Sequence, residues 1–323
     1  MCNLCPDTSV THVSSPYTVG VKNIDVLVLY TSGIFAANGG TLGGVRAVAQ
    51  REVDETNQIL RNSQVHTVRF HLIGVQAVPE TATPPYDVAG IDVGLNRLAG
   101  TIETPGVYPG WSYPGNTSVR ALRDSHGADV VALARRNASA VPSCGVAFVQ
   151  RYYNYSPPVE PGPEFERKAY MVFDPDCAAD RLNFSHEAGH LLGMEHDPAN
   201  AEMSGLGFPS CPWSFGHRNA SGNLLVSFRT VMSYSRNTSS SGPMCSNDAA
   251  CPLIDAYSNP DLSWAGGLFE TGTHPDAVPI GRNIGDPPAS YPPSKARDTL
   301  ARIAPIVETF RPRPELIFAN GFQ

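Results

Sequence analysis

The chain has 323 residues, of which 16% are charged, and its formal net charge is −7. Because no run of lysine or arginine stands out, this balance argues against a surface for nucleic acid or anionic membrane, while it leaves a peptide substrate open. No apolar run approaches the roughly 18 residues of a membrane-spanning helix, and the N-terminus lacks the charged and then apolar layout of a signal peptide.

The first part of the chain predicts a sheet covered by helices. Residues 24–30 form a β-branched apolar run that predicts a buried strand, and residues 43–60 carry apolar side chains at a helical period. A second strand is predicted over 65–78, and a strand, a helix and a strand in this order imply parallel pairing. The elements predicted next are a shorter helix near 91–98, a helical turn over 119–126 and a buried strand over 128–134.

The second part of the chain predicts an edge strand, a last strand and a mostly irregular region. Residues 144–153 run into four prolines between 157 and 163, which a central strand would not tolerate, so we place this strand at the sheet edge. The last strand covers 169–173 and a helix begins near residue 180; periodicity then weakens until an amphipathic helix over 296–310. The chain is divided into a lead-in (1–21), an upper subdomain (22–193), a lower subdomain (194–311) and a tail (312–323).

The residues that carry chemistry lie within 186–197, which has the sequence His-Glu-Ala-Gly-His-Leu-Leu-Gly-Met-Glu-His-Asp. On a helix, His186 and His190 project from one face and can share one ion. Gly193 can adopt the left-handed conformation that ends a helix and reverses the chain, and this reversal brings His196 back to the other two. Three imidazoles with a fourth position open describe a catalytic zinc site, because structural zinc sites are closed by four protein ligands.

This string resembles the zinc-binding consensus of the metzincin metallopeptidases. The aspartate that follows the last histidine, at position 197, makes the string most similar to that of the adamalysin and reprolysin branch. Residues 230–234 (Thr-Val-Met-Ser-Tyr) stand where metzincins carry a methionine turn beneath the metal. Over residues 22–311 the chain resembles the bacterial reprolysin-like peptidases, including the peptidyl-Asp metalloendopeptidase group. The resemblance implies an α/β (α+β) metzincin fold. That fold has a twisted, five-stranded, mostly parallel sheet with one antiparallel edge strand, two long helices, the zinc helix and an irregular lower subdomain ending in a helix.

Four further residues near the histidines have candidate roles. Glu187 would accept the proton of a zinc-activated water and deliver it to the leaving amine, and Met232 would form an apolar floor under the imidazoles. Asp197 would either accept hydrogen bonds from the methionine turn or orient a ligand histidine, the alternative being a solvated carboxylate. Tyr234 stands where astacins and serralysins carry a tyrosine that reaches the zinc, which suggests an oxyanion donor; the alternative is a packed tyrosine bonded to backbone.

The cysteines favour an exported protein. None of the five that fall in and around the catalytic region forms a C-x-x-C zinc pair, so disulfides are the better interpretation. One cysteine precedes the edge strand and another precedes the zinc helix, with one strand between them, which suggests that they lie close together. The pairs that we predict are Cys144–Cys177 and Cys245–Cys251, with Cys211 either free or bonded to Cys2 or Cys5.

The function predicted from these residues is that of a secreted, monomeric zinc metalloendopeptidase with one catalytic zinc ion. An extended peptide or protein substrate would bind along the edge strand by strand addition, and nothing in the sequence indicates a calcium site. One alternative is a non-catalytic zinc-binding adhesion module, against which the intact Glu187 argues. The other is a zinc hydrolase of a non-peptide amide, which the zinc string alone does not exclude.

Overall fold

The fold is described from a computed structural model of the chain. Most of the predicted lead-in (1–21) and the whole of the tail (312–323) lie outside the residues that it describes. The described residues are 20–80, 85–100, 115–136, 143–150, 162–177, 182–201, 210–235, 245, 247–265, 267–270, 276–283 and 293–311.

A five-stranded sheet forms the centre of the upper subdomain. Its strands, in chain order, are Lys22–Tyr30 (β1), Val68–Ala77 (β2), Val130–Ala134 (β3), Gly145–Ala147 (β4) and Tyr170–Phe173 (β5). In space the order is β2-β1-β3-β5-β4, and the neighbours are parallel except at β4, which runs antiparallel to β5 at the edge. The predicted mostly parallel sheet with one antiparallel edge strand is therefore confirmed.

Helices cover both faces of this sheet. The α-helices in the described part of the chain are Ser32–Ala37 (α1), Leu42–Asn62 (α2), Ile91–Ala99 (α3), Thr117–His126 (α4), Asn183–Leu191 (α5), Pro198–Ala201 (α6) and Ala296–Val307 (α7). At α4 we predicted a turn, whereas the helix has ten residues and is capped by the Asn116 side chain and by Gly127 at a φ of 65°. The sequence pattern understated α4 because only Val119 and Arg123 on it are buried.

Strand β1 shows why a nearly continuous apolar run is needed at the centre. Ile24, Val26 and Val28 belong to the same buried cluster as the apolar face of α2. Leu27 and Leu29 belong to a second cluster on the opposite face, together with side chains of α3 and α4. Because successive side chains of a strand point to opposite faces, a strand covered by helices on both sides must be apolar at almost every position.

Helix α5 is fixed between the sheet and the lower subdomain. Phe184, Ala188 and Leu191 are buried in the main core. The hydroxyl oxygen of Ser185 lies 2.8 Å from that of Thr56 on α2, and the Ser185 carbonyl accepts a hydrogen bond of 2.7 Å from the hydroxyl of a lower-subdomain tyrosine. These contacts fix α5 to both α2 and the lower subdomain.

The lower subdomain is mostly irregular, as predicted. Its short strands are Arg218–Asn219 (β6), Phe228–Arg229 (β7), Ser263–Ala265 (β8), Leu268–Glu270 (β9) and Val278–Pro279 (β10). The subdomain ends in α7, whose Leu300 and Ile303 are buried in the same core as β1. None of the helices that the structure describes is both long enough and apolar enough to cross a membrane. The boundary that we drew between the two subdomains stays a prediction.

Candidate functional site

Helix α5 and the turn that follows it bring three histidines together. The ring centroids of His186 and His190 are 4.9 Å apart on one face of the helix. Gly193 ends the helix with a φ of 83°, and a Cβ at this position would overlap the hydroxyl of Ser210. Only glycine satisfies both conditions, because side chains other than glycine rarely adopt positive φ. The reversed chain then places the ring of His196 4.8 Å from that of His190 and 5.1 Å from that of His186.

Backbone carbonyls determine which ring nitrogen of His186 and of His190 carries the proton. Nδ1 of His186 lies 2.8 Å from the carbonyl oxygen of Val231, and Nδ1 of His190 lies 2.9 Å from that of Met194. A carbonyl only accepts hydrogen bonds, so each Nδ1 must be the donor. In a neutral imidazole the other nitrogen, Nε2, then carries a free lone pair that can bind a metal.

The three lone pairs face one another. Nε2 of His196 lies 3.1 Å from that of His190 and 3.2 Å from that of His186, while its Nδ1 lies 3.4 Å from a carboxylate oxygen of Glu195. Because that carboxylate favours the proton on Nδ1 of His196, the Nε2 atom of His196 also carries a lone pair. The lone pairs of the three Nε2 atoms repel one another unless a cation lies among them. Burial, followed by the neighbouring His190 and His186, lowers the pKa of His196 well below its ordinary value of 6.5, which keeps the ring neutral.

This donor set fits a zinc ion. Three neutral imidazoles supply nitrogen ligands from one side and leave further positions open, which is the composition of a catalytic zinc site. The potential ligand atoms of His186, His190 and His196 all lie within 4.8 Å of one another, and they are the one group of this kind found among the described residues. That these three histidines are the zinc ligands remains our proposal, which their convergence supports.

The methionine turn lies directly beneath the histidines. The N–H of Ser233 donates a hydrogen bond of 2.9 Å to the carbonyl of Thr230 and closes the turn. Met232 is fully buried, and a Cβ added at Gly189 on α5 would overlap its sulfur. The carbonyl of Val231 in the same turn is the acceptor that orients His186. The turn therefore supports the helix between its two histidines and also fixes the tautomer of one of them.

Glu187 is buried, with 4% of its surface exposed, and the edge strand passes close to it. A Cβ built on Gly145, the first residue of β4, would lie 2.5 Å from Oε1 of Glu187 and would overlap the side-chain oxygen of Asn183. We did not predict a role for Gly145 at this site. The available signal was a glycine inside a strand, which often marks a close approach of another group to the backbone.

Asp197 contacts the methionine turn and is not solvated. Its Oδ2 accepts a hydrogen bond of 3.1 Å from the backbone N–H of Tyr234 and one of 2.7 Å from the side chain of Asn200. Its Oδ1 lies 3.2 Å from Nη2 of Arg218, and both side chains of this ion pair are almost completely buried. Burial raises the pKa of Asp197, whereas Arg218 and the two hydrogen bonds lower it. This geometry matches the first of the two roles that we considered for Asp197.

Tyr234 stands beside the histidines. Its hydroxyl oxygen lies 3.2 Å from Nε2 of His196, and the two ring centroids are 4.6 Å apart. The residue is 40% exposed. Its position beside His196 supports the first of the two roles that we considered, which remains a proposal.

The disulfides match the pairs that we predicted. Cys144–Cys177 and Cys245–Cys251 are both bonded, and Cys211 also takes part in a disulfide, so it is not free. The carbonyl of Cys144 accepts hydrogen bonds from the backbone N–H of Asp174, at 2.9 Å, and from the side chain of Asn183 on α5. The bridge at Cys144 therefore ties the edge strand to the segment that leads into α5.

Comparisons with known proteins agree with this geometry. The family model Reprolysin_5, described as metallopeptidase family M12, matches residues 21–245. No curated protein matches the chain. A solved structure titled "Structure of a chaperone-substrate complex" superposes with a TM-score of 0.55 at 16% identity, over 91% of this chain and 40% of that chain. At this identity the likeness concerns the fold alone, and this chain spans less than half of the solved one.

Proposed function

Because this chain belongs to metallopeptidase family M12, we propose that it is a secreted zinc metalloendopeptidase. The observation that carries the proposal is the convergence of three imidazole Nε2 atoms, from His186, His190 and His196, on one point beside a buried carboxylate. A non-catalytic relative would not need that carboxylate. Its presence in Glu187 favours hydrolysis over simple metal binding.

Zinc, when bound by the three histidines, supplies Lewis-acid activation of a water molecule and of the substrate carbonyl. Glu187 accepts a proton from the water as its oxygen forms a bond to the carbonyl carbon. When the bond between carbon and nitrogen breaks, Glu187 delivers that proton to the leaving amine. The two products are a carboxylic acid and an amine, and the carboxylate of Glu187 is regenerated.

Tyr234 is a candidate donor to the oxyanion. Its hydroxyl is 3.2 Å from the proposed ligand nitrogen of His196, and the residue is 40% exposed. A phenol in this position can donate a hydrogen bond to the oxygen on which negative charge develops in the transition state. The same phenol could bind the metal at rest and then donate to the oxyanion, and we assign to it a role in lowering the barrier.

The substrate would bind along β4. This strand pairs with β5 on one side and is the last strand of the sheet, so its other edge can pair with an extended peptide. Gly145 at its start lies against Glu187, so a peptide bound there would pass the proposed base. Action outside the cell is supported by the disulfides, because such bonds persist in oxidising environments.

The proposal is tested by zinc content and casein hydrolysis of the purified protein. We expect about one zinc per chain, and we expect hydrolysis that a chelator abolishes and added zinc restores. Glu187→Gln is the matched control because it removes the base and no ligand. Zinc without hydrolysis of any peptide would favour an adhesion module, and hydrolysis restricted to small amides would favour the other alternative. Absence of stoichiometric zinc would overturn all three.

A further inference from the structure

We infer that Arg218 is a positioning residue for Tyr234, a role that rests on the proposed function of the site. Nη1 of Arg218 donates a hydrogen bond of 2.6 Å to the carbonyl of Tyr234, and its Nη2 lies 3.2 Å from Oδ1 of Asp197. Oδ2 of Asp197 in turn accepts a hydrogen bond of 3.1 Å from the N–H of Tyr234. One ion pair therefore holds both polar atoms of the tyrosine backbone.

The burial of this ion pair indicates specificity rather than stability. The side chains of Arg218 and Asp197 expose only 4% and 3% of their surface. Removing two charges from water costs several kcal/mol for each ion, so a buried pair often contributes little net stability. A pair of this kind is best explained by what it orients. Here it orients the backbone of Tyr234, a residue that is itself two-fifths exposed.

The two-stranded ribbon β6–β7 brings a second arginine to the same segment. Arg218 on β6 is paired in register with Arg229 on β7. Nη1 of Arg229 donates a hydrogen bond of 3.0 Å to the carbonyl of Ser233, the residue before Tyr234. Two guanidinium groups thus hold two successive carbonyls at the C-terminal end of the methionine turn. These hydrogen bonds fix the backbone that carries the phenol relative to the ribbon.

Lysine cannot reproduce this arrangement. A guanidinium is a planar fork that donates two hydrogen bonds in fixed directions, whereas a lysine ammonium is a point charge on a flexible stem. Arg218→Lys keeps the positive charge that compensates Asp197, so we expect the protein to fold and to retain its zinc. The substitution loses the fixed directions of the two hydrogen bonds and with them the position of the Tyr234 backbone. We therefore expect kcat to fall by about 10- to 100-fold while KM changes little.

A double-mutant cycle tests whether Arg218 acts through Tyr234. The kcat of Arg218→Lys is compared with that of the wild type, and the kcat of the double variant with that of Tyr234→Phe. If Arg218 positions the phenol, its substitution has little effect once the phenol is absent, so the second ratio is close to one. An equal loss in both backgrounds, or no loss in the wild-type background, would overturn the inference.

Arg123→Lys is the matched control. Arg123 is a fully buried arginine that donates hydrogen bonds to the carbonyls of Ala128, Asp129 and Glu166. It lies on α4, its hydrogen-bond acceptors precede β3 and β5, and these bonds involve neither the methionine turn nor Tyr234. Its substitution is expected to lower stability and to change kcat by the same small factor with or without the phenol.

A second readout does not depend on hydrolysis. Copper(II) added to the zinc-free protein gives a visible charge-transfer band when a phenolate binds it. We expect this band in the wild type, its absence in Tyr234→Phe and its loss or marked weakening in Arg218→Lys. A band of full intensity in Arg218→Lys, or no band in the wild type, would overturn the inference. If the wild type bound copper with this band but hydrolysed no peptide, the proposed function would fail and the positioning role would stand.

Discussion

Gly145 is the position at which one added methyl group should displace the proposed base without removing a proposed zinc ligand. A Cβ on this residue would lie 2.5 Å from Oε1 and 2.7 Å from Cγ of Glu187, and would overlap the side-chain oxygen of Asn183. The φ of Gly145 is not in the left-handed region, so alanine is compatible with the backbone there. Gly145→Ala therefore changes the space available to Glu187 without straining the strand.

The size of the effect follows from these distances. Ordinary van der Waals contact begins at 3.4 Å, so the carboxylate has to retreat by about 0.9 Å. The buried Asn183 side chain has to move as well, so we expect some loss of stability together with the displacement of the carboxylate. In the proposed mechanism the same carboxylate accepts the proton of the attacking water, and a misplacement of about 1 Å can cost about 100-fold in rate. We expect kcat to fall by about 10- to 100-fold.

The assay is steady-state hydrolysis of a fluorogenic peptide, together with zinc content and thermal denaturation. The three atoms nearest to the new methyl group belong to Asn183 and Glu187, so the histidines should keep their zinc. Gly43→Ala, on α2, is the matched control, because a Cβ there meets no atom within 4 Å. If Gly145→Ala had the kcat of the wild type, or lost zinc together with activity, the reasoning about Glu187 would be wrong.

Three further predictions follow from the site and the fold. Glu187→Gln should retain zinc and lose peptide hydrolysis by about 100- to 10,000-fold, measured as kcat beside metal analysis. Replacing both Cys144 and Cys177 by serine opens a loop with a sequence separation of 33, and it should lower the free energy of unfolding in urea by about 3.7 kcal/mol; a change below about 1 kcal/mol would contradict the chain-entropy account. Burial raises the pKa of Asp129 from 3.8 to about 7, so the folded state binds this proton more tightly than the unfolded state. The free energy of unfolding should therefore fall as the pH rises from about 4 to about 7, and Asp129→Asn should remove that part of the slope in urea titrations.

The elements and the three histidines could be predicted because their signals are local. The apolar run of β1 indicates a strand that is buried on both faces. The spacing of His186 and His190 indicates that they lie on one face of a helix. Gly193 reports a chain reversal, since positive φ strongly favours glycine. The length of α4 was understated because only two of its residues are buried. The sequence therefore shows little helical periodicity of apolar side chains there.

The contacts of Asp197 could not be predicted in this way. Its partners Arg218 and Tyr234 are far along the chain from it, and nothing in the sequence around Arg218 distinguishes that residue from a solvated arginine. The same holds for Gly145, whose closeness to Glu187 depends on the pairing of β4 with β5. Sequence reasoning left two roles open for Asp197, and only the packed structure distinguishes between them.

By itself the sequence determined the class of the fold, the three histidines that come together and the carboxylate next to one of them. Each of these depends on the period of a helix or strand, or on a short motif, within a few turns of backbone. The tertiary structure alone decided which carbonyl orients the imidazole of His186, where the phenol of Tyr234 lies and which arginine holds its backbone. Those features depend on distances between residues that are remote in the chain, and such distances are set by the packing of whole elements rather than by any local pattern of side chains.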